Sequence, residues 1–394
     1  MDTVWADRKV RGICGVGFGL RPRRMLTTML TTLTLFMIPL AAQALPPLTA
    51  VSAGNGHSLG LAGDGTVWAW GGNGQGQLGD GTAVSKKTPI QVGGLMGIKA
   101  IAAGQWHSLA LSRNGEVWSW GANDDGQLGD GTTEIRRTPS PLPYLSGITA
   151  LAAGSFHTLA LAGDGTVWAW GANTFGQLGD GTVQGRSSPV QVPGLAGIRA
   201  IAAGETHSMA LTQDGMVWAW GNNSQGKLGD GTEMDRHSPV QVPGLAGITA
   251  LGAGWHHSLA VAQDGTVWAW GSNGSGALGN GSRDNRLSPV LVPGLAGITR
   301  ATGGVNFSMA LAADGTMWSW GLNREGQLGD GTKTDHQAPV QVPGLAGITA
   351  LGAGWRHSLA VTEDGSAWAW GNNAGGALGD GTTDSRTSPV RVGP

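Results

Sequence analysis

Leu151–Ala200 reads LAAGSFHTLALAGDGTVWAWGANTFGQLGDGTVQGRSSPVQVPGLAGIRA, and fifty residues on the same text begins again. Counted from Val51, the register returns at 101, 151, 201, 251, 301 and 351 without insertion or deletion. Self-similarity at a fixed period of this size marks a repeat architecture, in which each unit buries its apolar face only against its neighbours. Every unit keeps Trp-x-Trp-Gly (Trp68/Trp70 through Trp368/Trp370), an Asn (Asn73 through Asn373), a Leu-Gly pair (Leu78-Gly79 through Leu378-Gly379) and a Pro (Pro89 through Pro389).

Within a unit, turn signals separate four short strand candidates. Ile198–Ala203 is apolar and ends at Gly204. His207–Leu211 alternates and runs into Asp214-Gly215. Val217–Trp220 alternates large and small residues and stops at Gly221. Val240–Val242 follows Pro239, placed at the strand start where a missing N–H does least harm. The Asp-Gly dipeptide (Asn114-Gly115 in the second unit) suits a two-residue hairpin with positive φ at both positions. No helix is expected.

Four strands repeated seven times point to an all-β, seven-bladed β-propeller of four-stranded antiparallel blades rather than a solenoid, which needs polar caps. The last unit stops at Pro394, six residues short, and Leu45–Ala50 (LPPLTA) matches the missing piece (LAGITA, Leu245–Ala250). The expectation is a ring over 45–394, with repeats 51–100, 101–150, 151–200, 201–250, 251–300, 301–350 and 351–394. The N-terminal strand would complete the last blade, so that no sheet edge stays open.

Residues 1–44 differ from this body. Arg21, Arg23 and Arg24 precede an apolar run from Met25 to Ala42, and Ala42-Gln43-Ala44 offers a small-x-small exit, the order of a cleaved export signal. A run of this length nears the lower limit for a spanning helix, but its threonines and small-residue exit favour cleavage and a secreted or periplasmic product without stable membrane insertion. Cleavage leaves 18 basic against 24 acidic residues. That acidic balance argues against a nucleic-acid partner. The single cysteine, Cys14, lies in the leader, so the body has neither a disulfide framework nor a thiol nucleophile. With 71 Gly and 18 Trp against 1 Tyr, the composition fits tight turns joining strands that bury large rings.

The run GxxHSLALxxDGTVWAWGxNxxGQLGDGT, seen in Gly154–Thr182 and in close copies elsewhere, resembles the signature of the regulator of chromosome condensation repeat family, particularly its bacterial branch. The resemblance covers 45–394 and implies a seven-bladed propeller. It implies no single activity, because the family includes a nuclear exchange factor for a small GTPase, a plant ultraviolet photoreceptor and secreted bacterial inhibitors of β-lactamases. The photoreceptor's Gly-Trp-Arg-His element is matched by Gly354–His357 and in part by Gly254–His257. Val305-Asn306-Phe307 interrupts the Trp cluster between them, which argues against light sensing.

Residues shared by all units are committed to the blade. The His at 57, 107, 157, 207, 257 and 357 is replaced by Phe307 in the sixth unit, so it reads as a packing or hydrogen-bonding group and not a metal ligand. The Asp at 80, 130, 180, 230, 330 and 380 (Asn280 in the fifth unit) reads as turn chemistry. Function is then expected where units differ, in the loop between the first two strands. There Trp106, Phe156, Trp255, His256, Trp355 and Arg356 form the candidate binding surface, as exposed Trp and Arg commonly anchor interfaces. A cation recurs at another shared offset: Lys86, Arg136, Arg186, Arg236, Arg286 and Arg386, with His336 in the sixth unit. It suits either an ion pair with the nearby Asp or a positive ring for an anionic partner.

No nucleophile elbow, isolated carboxylate pair or phosphate loop is present, so neither catalysis nor a cofactor or metal is expected. The reading is an exported scaffold that binds a protein partner. Three alternatives stay open: an inhibitor of an extracellular enzyme, an envelope enzyme acting on polysaccharide or peptide, and an exchange-like regulator of a small GTPase. The oligomeric state is not readable.

Overall fold

The computed structural model describes residues 44–393; the expected export signal, 1–44, lies outside the described residues apart from Ala44. Twenty-eight strands form seven four-stranded antiparallel sheets, each built from four consecutive strands. In the first blade these are β1 (Leu48–Ala53), β2 (His57–Ala62), β3 (Val67–Gly71) and β4 (Lys86–Gln91), and the set recurs every fifty residues. The inner strands, equivalent to β1, surround a central channel of about 240 Å³ lined mostly by Ala and Gly. The β4 equivalents form the outer rim.

The blades pack face to face through the tryptophans. Trp70 and its six equivalents are fully buried. Trp120, for example, lies against Leu59, Leu61, Val67 and Leu78 of the preceding blade. Alternation places both Trp of a pair on one face of the strand. The outer ring of the pair is the less buried one: Trp118, Trp168 and Trp218 are half-exposed towards the rim.

Three expectations are corrected by the structure. First, the N-terminal strand does not complete the last blade. That blade is finished by its own chain, with strands Ile348–Ala353, His357–Thr362, Ala367–Gly371 and Arg386–Arg391, and Leu48–Ala53 is the inner strand of the first blade. A register counted from Val51 cuts through a strand, so residues 45–50 replace an interblade linker and the beginning of the next inner strand. Leu48 N–H donates to Gly365 O at 2.8 Å, as Ile98 N–H does to Gly65 O at 3.3 Å across an internal linker. The ring closes through packed faces, with Leu48, Val51, Trp68 and Trp70 clustered against Leu359, Val361 and Leu378.

Second, Asp64 keeps a negative φ and only Gly65 is left-handed, at 86°. Gly65 N–H donates to Ala62 O, and Ala62 N–H to Thr66 O, each at 2.9 Å. This is a type I turn followed by a left-handed glycine, the three-residue alternative for joining twisted strands. The Asp64 carboxylate fixes it by accepting from the Thr66 N–H (2.9 Å) and hydroxyl (2.8 Å).

Third, the outer strand starts earlier than Val240, spanning Arg236–Gln241, with a register irregularity between Ala219 and Gly221 of its partner. Pro239 therefore sits inside a strand. It is tolerated because an outer-edge strand can turn its missing donor away from the ladder. Among the described residues the helix-free expectation holds apart from one turn of 3-10 helix, Ser224–Gly226 in the fourth blade.

Candidate functional site

The recurrent histidines form a belt across six of the seven blade seams, broken between the sixth and seventh blades, where Phe307 stands in place of His. His57 Nε2 lies 3.1 Å from Ser108 Oγ, and the same pairing links His107 to Thr158, His157 to Ser208, His207 to Ser258 and His257 to Ser308. His357 to Ser58 (3.0 Å) closes the ring. Each hydroxyl donates onward to a carbonyl, Ser108 to Gln77 O at 2.8 Å for instance. It must therefore accept from His Nε2–H, which fixes the tautomer and leaves Nδ1 a bare acceptor. The Nδ1 atoms of His57, His107, His157, His207 and His257 are buried without a partner.

Protonation would place a second N–H in this unpartnered position, and burial already disfavours the charge. Burial accordingly pushes His57, His107 and His257 down to about 3 and His157 and His357 to about 4, with His207 well below its usual value. Each ring also lies so close to the glycine three residues before it that a Cβ on Gly54 would stand 2.2 Å from His57 Cε1. The belt is structural, as the Phe307 exception suggested.

The cations are paired. Lys86, Arg136, Arg186, Arg236, His336 and Arg386 lie 2.7–3.4 Å from Asp80, Asp130, Asp180, Asp230, Asp330 and Asp380. Burial raises these carboxyls, but hydrogen bonds from the adjacent hydroxyl, amide and cation outweigh it and leave them below the usual carboxylate range. In the fifth blade Asn280 replaces the Asp, and Arg286 Nε is buried without a partner. Five of the six Lys and Arg are neutralised within their own blade, and His336 hydrogen-bonds its Asp330, so the ion-pair reading accounts for them and a free positive ring is not formed.

The variable loops between first and second strands gather at one channel mouth. Main-chain bonds run round this mouth: Asn55 N–H to Gln105 O, Gln105 N–H to Ser155 O, Ser155 N–H to Glu205 O, and on to Trp355 N–H donating to Gly54 O. The aromatics stand in two groups. Trp106 and Phe156 meet edge to face with centroids 5.6 Å apart. Trp255 and Trp355, two blades apart, stack at 5.4 Å and 4°. The Arg356 guanidinium lies 5.2 Å from the Trp355 centroid, and His256 Nδ1 is 3.1 Å from Glu205 Oε2. The four aromatics and His256 are half-buried and only Arg356 is exposed, with its guanidinium 3.8 Å from the Glu325 carboxylate, so the surface is less open than the sequence suggested.

Sequence reading passed over a depression of about 640 Å³ beside the Glu205–His256 pair, whose wall includes Phe175 and Lys227. Lys227 occupies the offset held by Gln77, Gln127, Gln177 and Gln327 and by Ala277 and Ala377. A lone lysine at an otherwise Gln/Ala position was the available signal.

A closed ring of seven self-complementary blades, with a set of variable loops at one mouth, defines a repeat propeller used as a scaffold. The chain belongs to the RCC1-like propeller family: the RCC1-like domain profile matches residues 33–295, and the regulator of chromosome condensation (RCC1) repeat profile matches 314–361 and 364–394. No curated protein sequence matches it. Among solved structures it is similar to yeast RCC1 (Prp20), solved bound to Kap60, at 26% identity over 83% of each chain with a TM-score of 0.75. It is also similar to Prp20p of Saccharomyces cerevisiae, described together with its binding to Gsp1p and histones, at 27% identity over 80% of this chain and 83% of that one, TM-score 0.69. Human WBSCR16 shares the fold, at 24% identity over 83% of this chain and 94% of that one, TM-score 0.75.

Proposed function

We propose that this chain is an exported, non-catalytic propeller that binds a protein partner through its variable-loop mouth. The observation that carries the proposal is the stacked Trp255–Trp355 pair with Arg356 against it, built from positions the repeat leaves free. Pre-stacked rings lose little freedom on binding, and Trp with Arg are the residues that dominate interface energetics. The channel wall carries Ala, Gly, Ser and Leu with no acid among its lining residues, which supports recognition over hydrolysis. Binding of Kap60, Gsp1p and histones by related propellers supports a protein as the class of partner. An export signal favours a partner in the envelope or outside the cell over a cytosolic GTPase, and an extracellular enzyme held inhibited by the propeller is one form such a partner takes.

The test is capture from envelope extract by immobilised propeller, comparing wild type with Trp255→Ala plus Trp355→Ala. Circular dichroism checks that both are folded. The specific partner should fall at least tenfold in the double variant, and equal capture by both proteins overturns the mouth as the binding surface.

A further inference from the structure

Lys227 is 2% exposed, yet no hydrogen-bond or ion-pair partner for its Nζ is found among the described residues. Glu205 and Asp235 act on this ammonium only at longer range, and a buried ammonium with no direct hydrogen-bond or ion-pair partner is costly unless something supplies one. The loop beside this side chain differs from its counterparts in the other blades. In the blades with glutamine at this offset, the side-chain oxygen caps its own loop: Gln75, Asp125, Phe175 and Glu325 each donate their N–H to it at 2.9–3.0 Å. Lysine has no acceptor to offer. In the fourth blade this loop becomes the Ser224–Gly226 turn, and Gln225 takes φ 65°. Loss of the glutamine does not by itself explain this, since the blades with Ala277 and Ala377 carry no non-glycine residue at positive φ there.

Among the described residues only one other non-glycine residue has positive φ, Asn306 at 61°, and it lines the same depression. Backbone strain of this kind collects at functional sites. The depression thus combines an unpartnered buried cation, both strained non-glycine residues and the Glu205–His256 pair, with Phe175 on its wall.

We infer that this depression is a binding site for a carboxylate, with Lys227 as its anchor. A monoanion is favoured over a phosphate dianion because Glu205 and Asp235 both act on Lys227 electrostatically. They help keep the amine charged against its burial, and they oppose a doubly charged ligand about twice as strongly as a singly charged one. Asn222, Ser224 and Ser272 supply further polar groups to a bound ligand. The site does not depend on the Trp255–Trp355 pair, and its failure leaves the proposed function standing.

Lys227→Gln tests the site, because glutamine is the residue that four other blades already carry at this offset and their fold accommodates it. The full propeller is titrated with acetate, free glutamate and a short peptide carrying one internal glutamate, with calorimetry and lysine side-chain NMR as readouts. Inorganic phosphate serves as the competing anion. The expected result is saturable carboxylate binding in wild type, weakened at least tenfold in Lys227→Gln, with a Tm in ligand-free buffer no lower than that of wild type. Tighter binding of free glutamate identifies a small acid as the ligand, and tighter binding of the peptide an acidic side chain of a protein. Absence of saturable binding, equal binding by both proteins, or a markedly lower Tm for Lys227→Gln overturns the site. Phosphate binding as tight as acetate overturns its assignment to a carboxylate.

Discussion

The seam between the first and second blades and the seam between the seventh and first use the same atoms but differ in covalent continuity. At the internal seam His57 meets Ser108 at 3.1 Å, and Ser108 and Trp120 Nε1 both donate to Gln77 O, at 2.8 and 2.9 Å. At the closing seam His357 meets Ser58 at 3.0 Å, and Ser58 and Trp70 Nε1 both donate to Ala377 O, again at 2.8 and 2.9 Å. No strand crosses the closing seam, although a linker joins the blades at the other. A repeat whose two faces are complementary closes its own ring, because the last blade presents to the first what every blade presents to its neighbour. The loop-closure entropy of so long a chain grows only slowly with length, so the seam chemistry decides whether the ring stays shut.

The largest expected effect acts on six of the seven seams at once. The six belt histidines are neutral in the fold, with values near 3 to 4 or well below normal, while in the unfolded chain each titrates near 6.5. The unfolded state therefore binds more protons below that point. The belt's contribution is complete above pH 6.5 and is lost as pH falls towards 4, with a slope approaching about 1.4 kcal/mol per pH unit for each histidine. Urea denaturation from pH 7 to 4 should show a steep fall in midpoint across this window, before the carboxylates of the ion pairs begin to protonate. A flat profile between pH 6.5 and 5 means that the imidazoles titrate within the fold, and the belt as described is then wrong.

A smaller effect tests whether the two seams are equivalent. Ser58→Ala strips the closing seam of a hydroxyl and leaves His357 Nε2–H and Ala377 O without that partner; Ser108→Ala does the same to His57 and Gln77 O. The carbonyls keep their Trp Nε1 donors, so the group left unpaired in each variant is the His Nε2–H, at a cost of about 1–3 kcal/mol. The two variants should lose similar stability in chemical denaturation. A near-neutral Ser58→Ala beside a costly Ser108→Ala would mean that the ring opens at its closing seam before it unfolds, and the equivalence fails.

The seven blades, their four strands and the cation–Asp pairing are legible in the sequence because each is written up to seven times in one register. Closure is not, since 350 residues hold seven periods whatever the phase, and LPPLTA at 45–50 matches a linker plus strand start as well as it matches a missing strand. The histidines read correctly as structural from Phe307 alone. Their partners did not, because a Ser or Thr 51 residues downstream is a contact between blades and leaves no local pattern. The loop-mouth aromatics were found by asking where units differ, but their separation into a Trp106–Phe156 pair and a Trp255–Trp355 stack depends on ring geometry, which no spacing encodes. Lys227 was hidden in a position otherwise given to the blade's own loop cap.

The smallest effect concerns the one blade that breaks the ion-pair pattern. Asn280 Oδ1 keeps the turn bonds of its aspartate counterparts, accepting from Ser282 N–H and from Asn273 Nδ2 at 3.1 and 3.2 Å. In the second blade the other carboxylate oxygen, Asp130 Oδ2, accepts from Arg136 Nε at 2.8 Å. Asn280 presents an amide donor at that corner, which leaves Arg286 Nε with no acceptor. Asn280→Asp therefore restores an acceptor without disturbing the turn, and should add up to about 1 kcal/mol, the range of partly exposed ion pairs. Asp130→Asn in the second blade should lose a comparable amount. Both changes should shrink in high salt, where partly exposed charges are screened, and differential scanning calorimetry at low and high salt reads them together. Should Asn280→Asp give no gain at low salt while Asp130→Asn is costly, the fifth blade has relaxed around its unpaired arginine, and the blades are less interchangeable than the two matched seams imply.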